Sequence, residues 1–141
     1  MAGMDPFNLA RFLAAQAPVL PAVRAELAAG HKRTHWMWFI FPQLAGLGAS
    51  AMSQRYAISG LAEARAYLAH PQLGQRLLDC TRLAMQSGRP ALDIFGPIDE
   101  QKLRSCLTLF AAASAEPLFT QALAQFFGGA PDQATLVRLS A

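Results

Sequence analysis

A chain of 141 residues, 53% apolar and 15% charged, is the size of one ordinary domain (residues 1–141), and such a chain buries about two-thirds of its unfolded surface without metal or disulfide support. The formal charge of +3 comes from the cluster His31-Lys32-Arg33 and singly scattered arginines. That pattern argues against nucleic acid, which wants clustered phosphate contacts. Two cysteines, Cys80 and Cys106, lie outside any C-x-x-C pair; they exclude a disulfide framework and zinc-site spacing and point to a reducing cytoplasm.

The charged fraction falls short of the usual ~25%. Two readings stand: an Ala-rich chain with many neutral surface positions, or a surface that a partner covers or that lines a cleft. Met1 to Phe7 has no basic start followed by an apolar stretch, so no signal peptide is expected. From Thr34 to Gln54 no Asp, Glu, Lys or Arg occurs, which approaches membrane-spanning length. Continuous strong apolarity covers only Trp36 to Phe41, however, and Pro42, Gln43, Gly46 and Gly48 follow. A buried helix and a loop fit better than a membrane span.

In chain order, Asp5-Pro6 predicts a helix start, with Phe7, Leu9, Ala10, Phe12 and Leu13 at helical spacing. Pro18 and Pro21 break or restart it. Val23, Leu27 and Ala28 mark a second helix ending at Gly30. Thr34 is placed to cap a short helix over His35 to Phe41, stopped by Pro42. A strand is the rival there, but no comparable strand is available to pair with it. Gln43 to Ala49 reads as a Gly-rich loop. Ser50 caps a short helix through Tyr56, and Ser59 caps the next, which carries Leu61, Ala64, Tyr67 and Leu68. His70-Pro71 interrupts, and Leu73, Leu77, Leu78, Thr81 and Met85 form a stripe ending near Gly88. Arg89 to Pro97 reads as a connector. Asp99 caps a strong helix with Leu103, Leu107 and Phe110 inward. Glu116-Pro117 opens another, closed by Gly128-Gly129, and Pro131-Asp132 starts the last.

Four stretches hold residues able to carry chemistry. The run from His31 to Gln43 sets two indoles beside a cationic cluster. Trp38 offers a stacking face and the cations suit phosphate or carboxylate, which are the ingredients of a nucleotide-like site. Trp36, Phe39 and Ile40 fit a core helix at least as well. His35 and Gln43 are polar beside apolar surface and need partners. The stretch Gly46 to Tyr56 places glycines before a helix start, with Ser50, Ser53 and Tyr56 offering hydroxyls; no G-K-[ST] follows, so it is no P-loop. In Asp99 to Thr108, Lys102 and Ser105 share a helix face. An Asp99–Lys102 surface ion pair is the plainer meaning, and Cys106 fits a small core residue. His70 reads as part of a helix corner. No metal-ligand spacing and no paired carboxylates occur, so no metal and no cofactor are implied.

The strings His35-Trp36-Met37-Trp38-Phe39-Ile40-Phe41-Pro42-Gln43 and Gly46-Leu47-Gly48 with Ser50, Ser53 and Tyr56 form a specific signature. Glu63-Ala64, Tyr67-Leu68, His70-Pro71, Ile94-Phe95-Gly96 and Asp99-Glu100-Gln101-Lys102-Leu103 continue it in order. On these residues the chain resembles domain-of-unknown-function family 1810, small mainly α-helical bacterial proteins sometimes labelled calpastatin. The resemblance spans nearly the whole chain. It implies a single mainly α-helical domain and no established activity. Cys106 and Leu107 depart from the pattern, where serine and methionine are usual, which leaves Ser105 the better hydroxyl.

These readings combine into an all-α fold, a single compact orthogonal domain of about seven to eight short helices. The leading functional expectation is a small cytosolic domain that binds or processes a nucleotide-like ligand of NAD or ADP-ribose type, held between the 31–56 segment and the 99–110 helix. His35, Lys102 and Ser105 are the candidates for proton transfer or hydrolysis; Trp38, Gln43, Ser50, Ser53 and Tyr56 would bind the ligand. The alternative is a non-enzymatic helical interaction module or homodimer.

Overall fold

Proline, glycine and capping side chains set most of the helix boundaries in the computed structural model, which describes residues 4–140. Residues 1–3 and 141 lie outside it, and with them part of the Met1–Phe7 stretch in which no signal peptide was expected. Among the described residues the order is α1 (Ala10–Gln16), α2 (Leu20–Ala29), α3 (Met37–Ile40), α4 (Ala51–Arg55), α5 (Leu61–Ala69), α6 (Pro71–Gln86), α7 (Ala91–Ala113), α8 (Pro117–Phe127) and α9 (Gln133–Ser140). The architecture is all-α, with one isolated parallel bridge between Leu44 and Ile58. No described helix is long and apolar enough to cross a membrane.

Several local expectations hold. Gly30 and Gly128 close α2 and α8 in left-handed conformation. Ser50 caps α4 by accepting from the Ser53 N–H, and Glu116 caps α8 by accepting from Leu118. The His70 ring caps α6: its Nδ1 accepts from the N–H groups of Gln72 and Leu73.

Others are corrected. The helix expected to open at Asp5-Pro6 starts at Ala10, and the Asp5 carboxylate reaches forward to the N–H groups of Leu9 and Ala10. Thr34 does not cap α3; its hydroxyl donates to Glu26. Ser59 does not cap α5 with its side chain. It donates both its N–H and its hydroxyl to the Glu63 carboxylate at the third position of that helix, so the acid rather than the hydroxyl accepts. The connector expected over Arg89 to Pro97 is helical from Ala91 and runs into the following helix across a kink. Gly96 supplies the turn at φ 80°, a conformation open to glycine, and Pro97 restarts the helix where a missing N–H costs least. The stretch before the kink and the helix after it form one element, α7, of 23 residues, and the helices among the described residues number nine where about seven to eight were expected. Asp99 lies within the restarted helix rather than capping it, and its carboxylate goes to Lys32.

The helix α7 is the central element, packed against α5, α8 and α9, while α6 bridges α2, α5 and α8. It contributes Leu103, Cys106, Leu107, Leu109 and Phe110 to one buried cluster. The aromatic run joins the same cluster: Trp36 is fully buried, and Phe41 meets Phe95 edge to face at 5.8 Å. Gln16, 1% exposed, ties four helices together. Its Nε2 donates to the Phe39 carbonyl (2.7 Å) and the Tyr67 hydroxyl (2.9 Å), and its Oε1 accepts from Arg76 (3.3 Å). A buried amide so placed has little polarity left unmet, as a dry interior requires.

Candidate functional site

Between the loop after α3, the outer face of α7 and the start of α9 lies a cleft of about 290 Å³, near the lower end of the ~300–1,000 Å³ usual for ligand sites. The loop supplies Gln43, Leu47 and Gly48, α7 supplies Ile98, Gln101, Lys102 and Ser105, and the α9 end supplies Asp132 and Ala134. Each wall has a local cause. The backbone N–H of Ile58 donates to the Gln43 carbonyl and that of Ala45 to the Ile58 carbonyl, both at 2.8 Å, pinning the loop. Gly46, at φ 93°, lies against the Arg138 guanidinium, which fills the space a side chain would need. The same arginine donates through Nε to the Ala45 carbonyl at 2.9 Å, clamping α9 on the loop. A side chain at Gly48 would meet Ser53 at 2.6 Å. The two loop glycines thus answer to packing by Arg138 and Ser53. On α7, positions 98, 101, 102 and 105 share one face by helical spacing. Asp132 donates its N–H to Thr108 on α7 and accepts the Thr135 N–H and hydroxyl at Oδ2, which starts α9 beside the cleft.

Lys102 is the cation of this cleft. Its Nζ lies 5.3 Å from the Trp38 ring centre and 3.8 Å from Asp99 Oδ1. Asp99 is engaged more closely by Lys32, whose Nζ sits 2.8 Å from Oδ2. Lys102 therefore shares its counter-ion and keeps donors free for the cleft. The expected surface pair Asp99–Lys102 exists, but it is the longer arm of a three-membered network.

The structure brings Gln43, Lys102 and Ser105 together and covers the lysine with Trp38. The other named residues stand elsewhere. His35 is exposed and does not line the cleft. Ser50 and Ser53 hydrogen-bond each other at 2.8 Å and serve the α4 cap. Tyr56 is buried among Phe12 (5.8 Å) and Phe39 (5.3 Å), so its ring belongs to the core. The basic cluster does not converge on the cleft either. Glu26 organises it, accepting from the N–H of Arg33, the N–H and hydroxyl of Thr34 and the indole N–H of Trp36. Burial alone would raise the Glu26 pKa, but these hydrogen bonds outweigh it and hold the carboxyl down at about 2. Burial pushes the Cys80 thiol up to about 12 and Cys106 also upward, so neither is a nucleophile. Among the described residues no group of three or more His, Cys, Asp or Glu side chains is placed to hold a metal ion.

Asp132, Gln101 and Ile98 were not legible as site residues. The spacing 98-101-102-105 could have found the two on α7. Asp132 reads locally only as a helix start, and nothing near it in sequence points to the cleft.

Fold and site define a small all-α protein with a polar cleft built on its central helix. The chain belongs to the family described as protein of unknown function DUF1810, which matches residues 6–139. It is similar to the conserved hypothetical protein Rv1873 from Mycobacterium tuberculosis, known from a crystal structure: 53% identity, 97% of this chain and 99% of that chain covered, TM-score 0.95. No curated protein matches.

Proposed function

We propose that the chain binds a small nucleotide-like ligand in the cleft between the 43–48 loop, α7 and Asp132. The observation that carries this reading is the convergence of Gln43, Gln101, Lys102, Ser105 and Asp132 from three separate parts of the chain on one concave surface. A phosphate or other anion pairs with Lys102. Asp132 accepts from sugar hydroxyls with the oxygen that Thr135 leaves free, and the amides of Gln43 and Gln101 offer both donors and acceptors to a base or sugar edge. The cleft volume suits one phosphoribosyl half of an NAD- or ADP-ribose-type molecule, the other half remaining in solvent. The free, buried cysteines support a reducing cytoplasm as the place of action.

Calorimetry and thermal shift with AMP, ADP-ribose and NAD test the reading. Saturable binding by the wild type is expected, weakened at least tenfold in Lys102→Ala and in Asp132→Asn, which keeps the helix cap. Absence of binding by all three compounds, or binding by both variants as tight as that of the wild type, overturns it.

A further inference from the structure

We propose that the groove between α2 and α6 is the docking surface for a second copy of this chain, and that the knob it receives is the partner copy's Leu92-Asp93 pair. The groove, about 520 Å³, is floored by Ala25, Ala28 and Leu83 and rimmed by Arg24 and Arg82. Both arginines are about half exposed, at 50% and 45% of their side chains, and both lean on one carboxylate, Asp79, at 4.0 and 3.4 Å. Two cations against one anion leave one positive charge on the rim. Glu26, the acidic residue of α2, cannot balance it, because its carboxylate is turned into the 33–36 backbone.

The chain carries the complement to this groove. Leu92 is one of four exposed large hydrophobics among the described residues. Asp93 beside it is exposed: its N–H donates to the Pro90 carbonyl, but its carboxylate forms no hydrogen bond or ion pair with the described residues, whereas the other exposed carboxylate, Asp5, is committed to the N–H groups of Leu9 and Ala10. An apolar side chain followed by a carboxylate matches an apolar floor with an unbalanced arginine rim. Both features belong to one neighbourhood. The groove ends at Ala28 and Gln86, and a side chain at Gly30 would meet Arg89 at 2.6 Å, so the turn 87–90 that leads to Leu92 packs against the end of α2. A patch holding both groove and knob is self-complementary, as a two-fold dimer requires.

Other occupants fit less well. Two arginines are too few to track a phosphate backbone, and none of the large exposed hydrophobics lies in the groove to enter a membrane. Dimer formation also gives the low charge fraction of the chain a location, since α2 presents Pro21, Ala22, Ala25, Ala28 and Ala29 to the outside.

Sedimentation velocity on the full chain, from about 10 to about 500 μM, the range a modest interface populates, reads the proposal. The expected result is a weight-average mass rising towards twice that of the chain. Arg82→Glu and Asp93→Arg, each at an exposed position and each checked for fold by circular dichroism, should hold the protein monomeric. The double variant Arg82→Glu/Asp93→Arg should restore the rise by exchanging the charges. A monomer across the whole range overturns the proposal. So does a dimer indifferent to either single reversal, or one that the double variant fails to recover.

Discussion

Lys32 and Asp99 form an ion pair at 2.8 Å, with the lysine side chain only 7% exposed. The pair fastens the segment before α3 to α7, and two further contacts secure it. The Lys32 N–H donates to the Ile94 carbonyl at 2.8 Å, and its ammonium lies 4.9 Å from the Trp36 ring centre. Asp99 also faces Lys102, so one carboxylate organises both the aromatic segment and the cation of the cleft.

Removing one partner of such a pair strands the other. Lys32→Met should lower stability by roughly 2–3 kcal/mol, below the full cost of breaking a buried pair because Asp99 keeps Lys102 and some solvent. Chemical denaturation checks this. The double variant Lys32→Met/Asp99→Leu should cost less than the sum of the single changes, since neither charge is then left alone.

Glu26 governs acid stability. Its pKa is depressed from an ordinary 4.5 to about 2 in the folded chain. Folding thus favours the ionised form, and the contribution is fully present above about pH 4.5 and lost as pH falls towards 2. Glu26→Gln should cost about 1–2 kcal/mol at pH 7 by replacing a charged acceptor of four hydrogen bonds with an amide. It should also flatten the stability profile between those two pH values, which melting temperatures across the window would show.

The α5–α6 corner depends on the absence of a side chain at Gly74. A methyl there would overlap the Leu68 backbone carbonyl, which cannot swing aside as a flexible side chain can. Gly74→Ala is expected to destabilise by about 2–3 kcal/mol through overpacking, despite the better helix propensity of alanine. Gly88→Ala, at a position with open space but φ 70°, should cost about 1 kcal/mol from backbone strain alone. Equal losses in the two variants would refute the steric account of Gly74.

Both cysteines are buried, with thiols pushed up in pKa by desolvation. A thiol-reactive reagent at neutral pH should modify neither in the native chain and both after denaturation, since the thiolate is the nucleophile. A fast-reacting cysteine in the folded protein would contradict the packing of α6 and α7.

Residues 91–95 show where reading the sequence stops short. Gly96 and Pro97 kink the helix there; the helix after them was legible, but the whole of Arg89 to Pro97 reads as a connector. The single turn before the kink was not legible, because Ala91, Ile94 and Phe95 are too few to show a period and are helical only through burial against the core. Glu26 is a second instance. In sequence it is one acid on an exposed-looking helix, and only the fold turns the 33–36 backbone onto it.

For the His31–Tyr56 segment, the sequence determined that two short helices lie there and that Pro42 and the following loop separate them, because chain breakers and periodicity act over one or two turns and leave local marks; that Tyr56 joins the aromatic core, and that Thr34 caps nothing, was decided by the fold. The sequence also put Gln43, Lys102 and Ser105 among the residues to watch. Which polar groups share a cleft was decided by tertiary structure alone. Asp132 is held at that cleft by its bond to Thr108 while Arg138 ties α9 to the loop at Ala45, and His35 stays outside it on the exposed surface. Convergence of residues distant in the chain depends on how packed helices set their faces, and no local pattern records that.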